Sequence, residues 1–98
     1  MTDRLPVRIE IIGMPVACME GVGDPWRTRA AWLAEQHAAR FGDAVRLEYH
    51  GFYDTDCPPQ PEGTTYPLVR VGDVTVQAGG QSIPLPPIVR AVETALAA

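Results

Sequence analysis

Apolar positions fall into two periods along the chain. Val7, Ile9 and Ile11 alternate with Arg8 and Glu10, a period of two that predicts a β-branched strand over 7–12. Gly13-Met14-Pro15 ends it, and residues 13–24 read as a loop that carries three glycines, one proline and Cys18. Asp24-Pro25 then opens a helix over 25–41. The Asp24 carboxylate accepts orphan backbone N–H groups, and proline at the first helical position costs no hydrogen bond. Trp26, Ala30, Leu33, His37 and Phe41 recur at helical spacing and mark its apolar face, and Gly42 is a natural stop. A second strand runs from Ala44 to about Phe52, with Val45, Leu47 and Tyr49 set against Arg46, Glu48 and His50. Residues 54–66 hold three prolines in four positions, which forbids a regular helix or a central strand. Pro67–Val71 and Val74–Ala78 form a hairpin closed by Gly72-Asp73. Pro84, Pro86 and Pro87 delay a last helix to about 87–97, whose apolar face is Ile88, Val89, Val92, Ala95 and Leu96.

The order β-α-β-β-β-α fits one α/β domain over residues 1–98. A right-handed crossover makes the first two strands parallel, and the closing hairpin adds an antiparallel pair. The expected packing is a mixed four-stranded sheet with two helices on one face, the position of a middle helix being taken by the Pro-rich loop. Val7, Ile9, Ile11, Val45, Leu47, Tyr49, Val69, Val71, Val74 and Val76 should face the helices. The other phase carries Arg8, Glu10, Arg46, Glu48, His50, Arg70, Thr75 and Gln77. A parallel sheet covered on both faces reads as continuous apolar runs. This face should therefore lie open to solvent or be covered only by the 54–66 loop, with cross-strand Arg/Glu pairs along it. The alternative is a polar homodimer surface.

Composition narrows the partners. The chain has 98 residues, a net charge of −4 and a pI near 4.9, which argues against nucleic acid or an anionic membrane. No apolar run spans a bilayer. The Met1-Thr2-Asp3-Arg4 start lacks a signal-peptide pattern, so the expected location is cytoplasmic. All eight basic residues are arginine, which reads as coding bias.

Cys18 and Cys57 are the candidate chemical groups. The loops after two parallel strands leave the same end of a sheet, so the two thiols are placed to approach one another. A reversible disulfide would need Cα atoms within about 7 Å. Glu20 and Asp24 raise rather than lower the pKa of a thiol beside them. Cysteines and histidines at 18, 37, 50 and 57 lack the paired spacing of a zinc site, so neither a metal nor a cofactor is expected. Asp54, Asp56 and Glu62 read as a solvated acidic loop. His37 reads as a satisfied histidine at the core margin, and His50 as a surface residue. Met14 and Met19 flank Cys18 and make its loop apolar as well as acidic, which suits a protein contact.

Three short matches, in this order of elements, resemble the thioredoxin-like fold. Cys18-Met19-Glu20-Gly21 lies where that family has Cys-x-x-Cys. Thr65-Tyr66-Pro67 resembles the Thr-Val-Pro of glutaredoxins, whose proline is cis. Gly79-Gly80 resembles the Gly-Gly after their last strand. Cys18, Pro25 and Tyr66-Pro67-Leu68 are also similar to the small bacterial YuzD-like thioredoxin-like group. Gly21 stands at the second cysteine position, and the family's middle helix is missing. The resemblance implies Cys18 as nucleophile, while Cys57 is the second candidate thiol through the topology alone. It implies a substrate groove formed by Thr65, Tyr66, Pro67, Gly79, Gly80 and Met19. Gly21 cannot resolve a mixed disulfide, so two readings stand: a monothiol redox protein, or a redox-inactive module that binds a protein segment by backbone pairing. A soft-metal or iron–sulfur carrier using Cys18 with an external thiol ranks behind both. The partner would be a protein or a glutathione-type thiol, and the chain a monomer or a weak homodimer through the polar sheet face.

Overall fold

Alternation and helical periodicity are realised close to where the residues place them. The computed structural model describes residues 5–18 and 21–97, without the side chains of Ala17, Cys18 and Val22. The elements are β1 (Val7–Gly13), β2 (Val16–Cys18), β3 (Gly21–Gly23), α1 (Pro25–Phe41), β4 (Val45–Gly51), β5 (Leu68–Val71), β6 (Val74–Ala78) and α2 (Leu85–Ala97). β2 and β3 form a small antiparallel pair inside the segment expected to be a plain loop. Four strands make a mixed sheet in the order β4-β1-β5-β6. β1 and β4 are parallel, and the β1/β5 and β5/β6 pairs are antiparallel.

α1 begins as its sequence dictates. Asp24 caps it by accepting the Arg27 N–H at 3.2 Å, and Pro25 follows. Gly42 ends it at φ 58°, with its N–H bonded to Ala38 O. α2 starts two residues earlier than expected, because Pro86 and Pro87 occupy its first turn, where no N–H is needed.

One core serves both helices. Ile9, Ile11, Val69 and Val71 from the sheet meet Ala30 and Leu33 of α1, Ile88 and Val92 of α2, and Ile83 ahead of α2. Val7, Val45, Leu47, Tyr49 and Val76 pack around it. Val74 departs from expectation. It pairs with Val71, yet it opens the edge strand, where it lines an open cleft with Ala91, Thr94 and Ala95 of α2, and is 62% exposed. Register slips between Val69 and Arg70, where β6 carries an extra residue as a bulge.

The opposite sheet face carries the ion pairs. Arg8 bridges Glu10 at 2.7 Å and Glu48 at 2.8 Å. Towards the C-terminal end of β1 this face becomes apolar, since Ile12 and its partner Leu68 are both buried. The 52–66 segment contains no helix and reaches this face, with Arg70 donating to Gln60 Oε1 at 3.0 Å. No described helix is long and apolar enough to cross a membrane.

Candidate functional site

The topology gathers the sequence candidates at one end of the sheet. β1 ends at Gly13 and its parallel neighbour β4 ends at Gly51, opposite it. β5 begins with Leu68 beside Ile12, and β6 ends with Ala78 beside Leu68. The segment leading to Cys18, the loop holding Cys57, Thr65-Tyr66-Pro67 and Gly79-Gly80 therefore all leave the sheet at this end. So does the start of α1, where Tyr49 donates its hydroxyl proton to Asp24 Oδ1 at 2.6 Å. The backbone of Cys18 lies in β2. Its side chain, and the whole of Met19, lie outside the described residues.

Two of the expected groove residues, Pro67 and Gly79, are joined through their backbones. The Tyr66–Pro67 peptide bond is cis. Gly79 N–H donates to Pro67 O at 3.0 Å. Gly79 has φ +91°, and a Cβ there would stand 3.3 Å from Thr65 Oγ1. Glycine is thus required both by its left-handed backbone and by the approach of Thr65.

Tyr66 belongs to an aromatic cluster. Its ring lies 5.2 Å from that of Phe52, which lies 4.9 Å from Tyr53, both in edge-to-face geometry. Phe52, Cys57, Pro58, Pro59, Gln60 and Tyr66 line a pocket of about 260 Å³. Cys57 is a free thiol whose Sγ lies 3.6 Å from Pro58 O. Burial pushes its pKa up, and Asp54, Asp56 and Glu10 push it further in the same direction. These surroundings disfavour the thiolate, the reactive form.

A second network ties the Cys57 loop to α1. Arg27 Nη2 donates to Asp54 Oδ2 at 2.8 Å, and Gly51 N–H donates to the same oxygen at 2.9 Å. The Arg27 guanidinium lies 4.9 Å from the centre of the Tyr49 ring. The Tyr49 hydroxyl is pushed above its ordinary pKa by burial first, then by Asp24. The Arg27 hydrogen bond, then that from Gly51, holds the Asp54 carboxyl below its ordinary range. A depressed carboxyl stabilises above its unfolded pKa, and this contribution is lost as pH falls through the folded value. The clamp should therefore hold at neutral pH and release only in acid, as pH falls below the ordinary carboxylate range. A proton-linked shift of the Gly51 amide resonance is the expected signature, absent in Asp54→Asn. The same shift in that variant would contradict the assignment.

The polar face holds a grouping that Cys and His spacing did not reveal. Glu10 and Glu48 stand opposite each other in the β1/β4 register, and His50 lies two residues on from Glu48 on the same face. One ligand atom from each of the three lies within 4.8 Å of the others. His50 is not the surface residue expected, for its side chain is only 12% exposed beneath Asp56. The legible signal was the shared polar phase of these three residues. Their adjacency depends on strand register. His37 is fully buried, with Nδ1 2.8 Å from Leu33 O and its ring stacked on Phe41.

Comparison with family models, curated proteins and solved structures gives no match, so the assignment of this site rests on its own residues and geometry.

Proposed function

We propose that the chain is a thioredoxin-like domain that performs monothiol exchange through Cys18. The observation that carries this reading is the convergence, at one end of a β4-β1-β5-β6 sheet, of the segment bearing Cys18 with Thr65-Tyr66-Pro67 and Gly79. The Cys18 thiolate attacks one sulfur of a substrate disulfide. An S–S bond forms between Cys18 and that sulfur, and the original S–S bond breaks. The departing thiolate takes up the proton that Cys18 released. A glutathione-type thiol then attacks the mixed disulfide, leaves as part of a new disulfide, and returns Cys18 as a thiol. No net oxidant is consumed. Cys57 is the poorer nucleophile, since burial and three carboxylates disfavour its thiolate. The Tyr66 backbone would hold the substrate by strand-type pairing.

One observation favours a second reading, a redox-inactive binding module. Phe52 and Tyr53 are exposed beside Tyr66, Tyr53 to 76%, and such a cluster suits a protein contact.

Exposure to an oxidised low-molecular-weight disulfide separates the two. The intact mass should show one adduct on the wild-type chain and on Cys57→Ser, reversed by excess thiol, and none on Cys18→Ser. Adduct formation confined to Cys57, or none at all, would overturn the exchange reading and leave the binding module.

A further inference from the structure

We infer that Glu10, Glu48 and His50 form a binding site for a divalent first-row transition ion of the zinc class, on the sheet face beneath the Pro-rich loop. This inference uses neither Cys18 nor the groove at Tyr66, and so stands apart from the exchange reading.

Strand geometry builds the site. Parallel pairing sets Glu10 directly opposite Glu48, and the two-residue period of β4 returns His50 to the same face. Glu10 is buried, and the Glu48 side chain is half-buried. Two carboxylates side by side on neighbouring strands repel each other unless a cation lies between or beside them. Arg8 supplies one charge, holding Glu10 Oε2 and Glu48 Oε2 at 2.7 and 2.8 Å, and Arg46 Nε lies 3.5 Å from Glu48 Oε1. Arg70 stands opposite Glu10 on β5 but is turned to Gln60. Asp56 adds a third carboxylate 3.5 Å from His50 Nδ1.

His50 is the independent observation that points to a ligand. Both of its ring nitrogens are sealed from solvent, and neither has a hydrogen-bond partner. A buried imidazole normally satisfies at least one nitrogen. Nε2 lies 3.9 Å from Glu48 Oε2, too long for a hydrogen bond but close to the separation of two atoms that share a metal. Ligand bonds of about 2.1 Å in tetrahedral geometry place donor atoms about 3.4 Å apart. The three donors lie within 4.8 Å of one another, so an ion would draw the two glutamate side chains inward, away from Arg8. Two carboxylates and one imidazole match zinc and its neighbours in the first row better than calcium or magnesium, which take oxygen ligands. Three protein ligands would leave a further position for water.

The test is a Zn²⁺ titration of the full chain carrying Cys18→Ser and Cys57→Ser, which removes thiolates as competing ligands. Calorimetry should show one bound ion per chain. Glu48→Gln and His50→Gln should each weaken binding by at least about tenfold. Independently of any ligand variant, Zn²⁺ should shift or broaden the His50 ring resonances and leave those of His37 unmoved. Failure of the thiol-free chain to bind Zn²⁺ would overturn the site. So would affinity unchanged in both ligand variants, or a His50 ring that ignores the ion.

Discussion

Replacement of Gly13 by alanine is expected to destabilise the fold by about 2–3 kcal/mol. A Cβ at this position would run into the Tyr49 hydroxyl and stand 2.6 Å from Trp26 Cβ and 3.0 Å from Trp26 Cδ1. Neither neighbour yields easily. Trp26 Cβ is fixed to the first turn of α1, and the Tyr49 hydroxyl is held by Asp24, the residue that caps that helix. A single methyl group must therefore push α1 away from the end of β1, or break the Tyr49–Asp24 hydrogen bond. Both movements disturb the end of the sheet where the candidate groove lies. The urea midpoint should fall with an unchanged slope. A loss under about 0.5 kcal/mol would mean that the start of α1 is not seated as described.

Truncation of Ile11 to alanine is expected to cost more, about 3–4 kcal/mol. Ile11 is fully buried in the middle of the sheet, opposite Tyr49 on one side and Val69 on the other. Its side chain belongs to the core shared by α1 and α2. A cavity there cannot be filled by collapse of a surface loop, since rigid strands flank it. In a domain of this size such a loss removes a large part of the total stability of about 5–15 kcal/mol. Val74→Ala is the internal control. The same type of residue in the same sequence phase is mostly exposed, so its truncation should cost under about 0.5 kcal/mol. Comparable effects at the two positions would contradict the placement of the core.

The contrast between Ile11 and Val74 shows what a sequence conveys. Alternation tells which face a residue takes, and Val69, Val71 and Val76 follow it. It does not tell how closely a helix packs over that face, and Val74 stands in an open cleft beside Ala91, Thr94 and Ala95 of α2. The α1 boundaries were legible because Asp24, Pro25 and Gly42 are local signals whose chemistry acts within one turn. The β2/β3 pair was not legible, for three-residue strands rich in glycine carry no period. The candidate groove was legible as an order of elements, since parallel strands must send their following loops to one end. Met19 and the Cys18 side chain, part of that expectation, lie outside the described residues. The Glu10–Glu48–His50 grouping was hidden for a different reason. Glu10 stands 38 and 40 positions before Glu48 and His50 and meets them only through register, whereas metal sites legible in sequence have closely spaced cysteines and histidines. Prolines gave mixed signals. The run at 58–61 excluded a helix, as expected, whereas Pro86 and Pro87 were accommodated inside a first turn.

On the proposed exchange reading, Cys18 is the working thiol and Cys57 is not. This is tested most directly by the pH dependence of alkylation in the Cys57→Ser chain, with Cys18→Ser alongside. Cys18 should be alkylated faster near neutral pH than Cys57, whose midpoint should lie above the free-cysteine value of about 8.5. A Cys18 that is unreactive, or no faster than Cys57, would contradict that reading.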